Sequence, residues 1–338
     1  MSESEKPQID VPLALLNRRD VSAQRLETVH AAVAANNLNR DHPSVVVYAT
    51  GSLGRGEACV HSDLDIFCVD VAEDPAQRIG RLDSIKLFSS LIRVNEAGGF
   101  PAFSGDGRFL DIHLMDDLLG LLGTRHDDYR NLFTARMLLL LESQVLVGAP
   151  AYEKAVKRVI DLYWDDCQDE QTFRPTFLVN DLVRYWKTLC LAHEVDRSPS
   201  HERTEEDKRR RRVAVLKLQF NRVWMVFNGL AHLLSGFGGT QGVPRLHMEK
   251  LVSYSPLERV LEMGEHDPSL VTHIQTLLNE YAWFLEQTDH AKTEIEEFFA
   301  SDPNYDEGRH RGEVFCACMA QLVDHIAKTT PIHRHLLI

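Results

Sequence analysis

The sequence predicts an α+β protein: a small mixed β-sheet within residues 1–125 and a helical remainder, 126–338. Three observations lead there. Short β-branched runs alternate with segments of helical period in the first part, with a core at 44–116. Beyond it only helical periodicity is evident. The 338 residues, at roughly 150 per domain, provide for two domains.

In chain order, Val11 to Ala35 carries apolar residues at helical spacing and ends in the breaker-rich Asn36-Asn37-Leu38-Asn39. After Pro43, Ser44-Val45-Val46-Val47-Tyr48-Ala49 reads as a buried strand that runs into Gly51-Ser52. Leu64 to Val69 is a second strand, Ala76 to Ala97 a helix, and Phe109 to Met115 a third strand, with Leu110, Ile112 and Leu114 alternating against Asp111 and His113. Helices are then expected at about 127–146, 151–165, 176–194, 205–235, 268–299 and 311–328. Val213, Leu216, Phe220, Val223, Phe227, Leu230 and Leu234 draw one apolar stripe, which reads as a core-packing face.

With 44% hydrophobic and 26% charged residues, the composition is that of a folded chain and excludes collagen-like or low-complexity architectures. The longest apolar run, Met137 to Leu141, lies between Arg136 and Glu142, far short of the roughly 20 residues that cross a bilayer. No membrane partner is expected. The acidic start MSESEKPQID lacks the basic and apolar regions of a secretory signal. Six cysteines without a Cys-x-x-Cys pair fit reduced thiols in a cytoplasm. A net charge of −13 disfavours broad coating of nucleic acid, which depends on cationic neutralisation of phosphates.

The chemistry is concentrated in Tyr48 to Asp70, YATGSLGRGEACVHSDLDIFCVD. Gly51 lets the backbone approach a ligand, and amides with the Ser52 hydroxyl can hold phosphate oxygens. Arg55 adds a cation. Eleven residues after Ser52, Asp63-Leu64-Asp65 enters the next strand, where a period of two places both carboxylates on one face. Two hard oxygen donors suit Mg²⁺, which keeps positions for water and phosphate. Alone, an Asp-x-Asp is most often a polar strand end, and a Gly-Ser an ordinary turn.

The combination Gly51-Ser52-Leu53-Gly54-Arg55-Gly56-Glu57 followed by Ser62-Asp63-Leu64-Asp65 resembles the signature of the DNA polymerase β-type nucleotidyltransferase superfamily. Within it, the segment looks most like the branch holding the bacterial PII uridylyltransferase and related signal-transduction nucleotidyltransferases. The resemblance implies a mixed sheet with three carboxylates, two Mg²⁺ ions (Mn²⁺ being a substitute) and a helical domain. Asp63 and Asp65 match the first two acids. Leu110-Asp111-Ile112 fits the third, giving Asp111, with Asp116 and Asp117 as rivals that look instead like a helix N-terminus. His113 shares a face with Asp111 and, with His61, stays outside the site.

In the helical half, Leu178, Leu182, Tyr185 and Leu189 form an apolar stripe, so Asn180, Arg184 and Lys187 gather on another face. Lys217 and Asn221 stand one turn apart. Related transferases use a helical-domain lysine on the γ-phosphate, which makes Lys187 and Lys217 nucleotide-binding candidates; for both, a solvated helix face is the plain alternative. Lys208 to Arg212 lies beside Glu202, Glu205, Glu206 and Asp207, so self-neutralisation is the default reading and partner docking the sharper one. Residues from 235 onward match nothing.

The expected activity is transfer of NMP from an NTP such as ATP or UTP to an acceptor hydroxyl, with release of pyrophosphate. The favoured acceptor is a protein; tRNA ends and small molecules are the alternatives within the class. A non-catalytic NTP-binding module and a helical docking protein are the alternatives outside it.

Overall fold

A computed structural model describes residues 8–107, 110–164, 172–195, 204–238, 242–328 and 330. It is α+β, and the chain divides into two compact units: 17–168, and 169–338 together with 1–16. The first unit therefore continues past residue 125, where the expected boundary stood. The reason is a fourth strand.

That unit is built on α1 (Leu13–Ala35), β1 (Val45–Ala49), β2 (Ile66–Asp70), α2 (Arg81–Ala97), β3 (Ile112–Leu114), α3 (Leu132–Leu141), β4 (Gln144–Val147) and α4 (Ala149–Trp164). The strand order is β3-β2-β1-β4. β1 pairs antiparallel with β2 through Val47↔Cys68 and Tyr48↔Phe67, β2 pairs parallel with β3 through Cys68↔Ile112, and β4 closes the other edge antiparallel to β1. The three expected strands are present, each somewhat shorter than its apolar run.

β4 corrects the expectation of a helix over 127–146 and of no strand beyond 125. The apolar run of α3 continues through Glu142 into Val145-Leu146-Val147, so no change of period marks the turn. Gly148, at φ +76°, closes the strand within van der Waals conflict range of the Val45 carbonyl for any larger residue.

β1 is buried along its whole length. One face of the sheet, through Val45, Val47, Ala49, Cys68 and Leu146, packs on Val29, Ala32 and Val33 of α1 and on Leu87, Leu91 and Val94 of α2, both sets at helical spacing. On the other face Tyr48 donates from Oη to the Ala135 carbonyl of α3 (3.0 Å) and packs near Tyr152 of α4. A central strand sandwiched in this way reads as an unbroken apolar run rather than as an alternation.

The second unit contains α5 (Thr176–Val195), α6 (Glu205–Lys217), α7 (Val223–Ser235), α8 (Arg245–Ser253), α9 (Pro256–His266), α10 (Val271–Gln287), α11 (Lys292–Phe298) and α12 (Asp302–Lys328). A two-residue ladder, Thr172–Phe173 with Val243–Pro244, is a second departure from the purely helical expectation. α6 runs into α7 through a π-type turn at Leu218–Arg222. Its widened backbone is engaged: the Cys316 thiol donates to the Gln219 carbonyl (3.5 Å) and Tyr281 Oη to Asn221 Oδ1 (3.3 Å).

α7 is buried nearly all round, as an apolar helix at the centre of a bundle must be. The predicted stripe is buried except for the partly exposed Phe227, and Phe220 and Trp224 join Tyr281, Phe284 and Phe315 in an aromatic core. The expected helix over 268–299 is broken at 288–291, where α11 restarts with Glu294 Oε2 accepting the Ala291 amide (2.9 Å). The expected helix over 311–328 instead begins at Asp302. Gly308 and Gly312 are contact positions on this helix: a Cβ on Gly308 would sit 3.1 Å from Leu216 and one on Gly312 2.7 Å from Gln219.

Candidate active site

β1 ends at Ala49 and the chain turns at once into a four-residue helix, Gly51–Gly54. Gly51 adopts φ +66°, a conformation that costs an L side chain strain, and a Cβ there would lie 2.7 Å from Asp65 Oδ2. The Asp65 carboxylate therefore lies directly over the Gly51 backbone. The Thr50 amide donates to the Asp65 carbonyl at 2.9 Å, joining the two segments.

Asp63, Leu64 and Asp65 precede β2 rather than belonging to it, yet the alternation persists: Leu64 is buried in the sheet core and both aspartates are exposed. Phe67 follows on the same side, stacked between Tyr48 (5.9 Å) and His113 (5.7 Å). Asp111 stands one residue before β3, with Ile112 turned to the core and His113 on the Phe67 side. Asp63, Asp65 and Asp111 thus share one face at one end of the sheet.

Local electrostatics place Asp111 beside Cys68 and His113. Burial, and then the Asp111 charge, push the Cys68 thiol up to about 12. Burial lowers His113 below its ordinary value against the opposing pull of Asp111 and Asp117, so its ring is neutral at pH 7. The rivals for the third acid are occupied elsewhere: Asp116 pairs with Arg78 and Arg158, and Asp117 with Arg130 at 2.6 Å. Asp111 accepts the Ile112 amide (2.8 Å) and has no ion pair among the described residues.

One expectation needs adjustment. Arg55 is not an exposed phosphate ligand: it is buried, its Nε donates to Glu57 Oε2 at 2.7 Å and its Nη1 to Glu142. Its charge is neutralised within the turn. Glu142, which follows α3, was not singled out from the sequence; its Oε1 accepts the Gly51 amide (3.2 Å), and its backbone oxygen lies where a Cβ on Gly54 would come within 2.2 Å. Glu142 and Arg55 hold the Gly51-Ser52 turn from below. The only hint in the sequence is an acid at the end of a strongly apolar run.

The three aspartates share a face without a ligand atom from each lying within 4.8 Å of the others; among the described residues that condition is met only by His232, His247 and Glu262. Those three stand on α7, α8 and α9 of the second unit. Lys187 and Lys217 are also in the second unit, both exposed. Of the cations near Lys187, Arg184 is drawn to Asp181 (3.5 Å). In the basic run, Lys208 pairs with Glu205, Arg210 with Glu206 and Arg212 with Asp302, as self-neutralisation requires; Glu202 lies outside the described residues.

A cavity of about 940 Å³ lies at the opposite end of the sheet, lined by Ser44, Val71, Arg78, Lys154 and Arg158, and includes none of the expected site residues. No helix among the described residues is long and apolar enough to cross a membrane. No family model, curated protein or solved structure matches the chain.

Proposed function

We propose that the chain is a magnesium-dependent nucleotidyltransferase that moves NMP from an NTP to an acceptor hydroxyl, on a protein in the favoured case, and releases pyrophosphate. The observation that carries this reading is the close seat of the Asp65 carboxylate over the Gly51 backbone, with Asp63 and Asp111 on the same sheet face. A phosphate held by the turn would lie beside hard oxygen donors.

The donor set fits Mg²⁺. All three groups are carboxylates, and an ion that retains several waters needs only one or two of them directly, so they need not form a closed cage. When bound, magnesium neutralises the triphosphate and polarises the phosphoryl oxygens. Asp63 and Asp65 would hold it. Ser52 and the amides of the turn bind the leaving pyrophosphate, in a conformation fixed by the bond from Gly51 to Glu142. Asp111 accepts the proton of the attacking hydroxyl. Arg55 serves as a positioning residue through Glu142 rather than as a phosphate ligand.

Incubation with Mg²⁺ and each α-labelled NTP in lysate tests the reading by where the label goes. Label on a protein band is expected, with ATP or UTP preferred. Asp63→Asn combined with Asp65→Asn should abolish label transfer and pyrophosphate release while the melting temperature holds or rises, since two like charges are removed. Turnover retained by the double variant would sink the assignment. Label confined to RNA would move the acceptor to tRNA, and NTP binding without transfer would favour a non-catalytic module.

A further inference from the structure

The second unit carries a polar cluster that the proposed reaction does not use. His232 on α7 is fully buried, and Glu262 Oε2 on α9 lies 2.7 Å from its Nε2. His247 on α8 points its Nε2 at the His232 carbonyl, and the two rings stack with centroids 4.3 Å apart. Lys250 holds the second Glu262 oxygen. His247, Lys250 and Glu262 line a cavity of about 590 Å³, together with His266 and His325.

These bonds fix the proton positions. A carbonyl only accepts, so His247 carries its proton on Nε2; the Glu262 carboxylate likewise takes the proton of His232 Nε2. Each ring is left with a bare lone pair on Nδ1. The Nδ1 of His232 is buried without a hydrogen-bond partner. A cation seated between Glu262 Oε2 and His232 Nε2 would take the place of the proton they share, which the bare Nδ1 of His232 can take up.

We propose that His232, His247 and Glu262 form a binding site for a transition-metal cation of the zinc type. One ligand atom from each lies within 4.8 Å of the others. Two imidazoles and one carboxylate are a donor set that zinc accepts with a fourth position open, and the cavity provides room for a water or an anionic ligand there. The rings are within 12° of parallel, so loading requires one of them to tilt. His247, partly exposed at the cavity wall, is the ring placed to do so.

The site is tested on the full chain by titrating Zn²⁺ against a competing chromogenic chelator after treatment with EDTA. One equivalent should bind. His247→Ala and Glu262→Gln should each weaken binding by about 10- to 100-fold, while Asp63→Asn with Asp65→Asn should leave zinc affinity unchanged, which separates this site from the proposed catalytic one. Circular dichroism shows whether the variants are folded. Co²⁺ bound to the wild-type chain should give paramagnetic shifts on the two imidazoles, a readout that needs no variant. Absence of zinc binding by the wild type, equal affinity in folded His247→Ala, or cobalt shifts on other residues would overturn the proposal.

Discussion

Polar clusters buried in the two units are built in opposite ways. In the sheet unit two clusters are permanent charges in pairs: Arg136 and Asp127, both without solvent exposure, make a two-pronged contact at 2.8 and 2.7 Å, and Arg55 lies between Glu57 and Glu142. In the helical unit the most deeply buried titratable cluster is built on imidazoles, and burial, followed by the neighbouring His247, pushes His232 down to about 3. An arginine cannot give up its proton, so it requires a carboxylate at a set place. A histidine can be buried by becoming neutral, which leaves it a lone pair to offer. The first arrangement rigidifies; the second keeps chemistry in reserve.

The largest effect expected from this contrast is in the sheet unit. Arg136→Met leaves Asp127 charged and buried, and should cost about 3–5 kcal/mol in chemical denaturation, whereas the double change with Asp127→Leu should recover most of the loss. If the single change were as mild as a surface substitution, the pair would not be holding the unit. Glu142→Gln is a smaller test. It keeps an acceptor for the Gly51 amide and leaves Glu57 to balance Arg55, so the loss should be about 2 kcal/mol, that of one charged hydrogen bond, together with slower label transfer if the turn binds phosphate.

The helical unit should respond to pH instead. With His232 at about 3 in the folded state and about 6.5 unfolded, only the unfolded chain takes up the proton between these values. Stability is therefore intact above about pH 6.5 and falls as pH decreases towards 3. At pH 5 the deficit from this residue should be about 2 kcal/mol, measured in EDTA by denaturation, and the His232 ring resonances should remain those of neutral imidazole. A ring that protonates near pH 6 would remove the contrast.

The same contrast explains what could be read from the sequence. β1, β2 and the Asp63-Leu64-Asp65 alternation are local patterns, so Gly51, Ser52 and the carboxylates could be singled out directly. The position of Asp111 at the start of β3 was legible because Leu110 and Ile112 flank it in a short strand pattern. Glu142 was not: it reaches Gly51 across 91 positions of sequence, and the apolar run before it conceals the change from helix to strand. The histidine cluster was illegible for the same reason, since His232, His247 and Glu262 come from three helices with no shared spacing. The burial of Arg55 was not legible because its partners are fixed by the tertiary fold, and a charge next to a glycine turn has the same local signature whether it faces solvent or the interior.

The bond from Glu142 to Gly51 has a consequence for how the chain tolerates change in length. Gln144 pairs with Ala49, so the position of Glu142 relative to the turn is set by the register of the edge strand. A residue inserted at 143 would shift either the strand pairing or the carboxylate, and the turn would lose its support in both cases. An insertion after Gly148, beyond the last paired residue, would leave both in place. The tolerance of this edge to insertions should therefore change abruptly between residues 143 and 148, with the intolerant end being the one that supports the Gly51 turn.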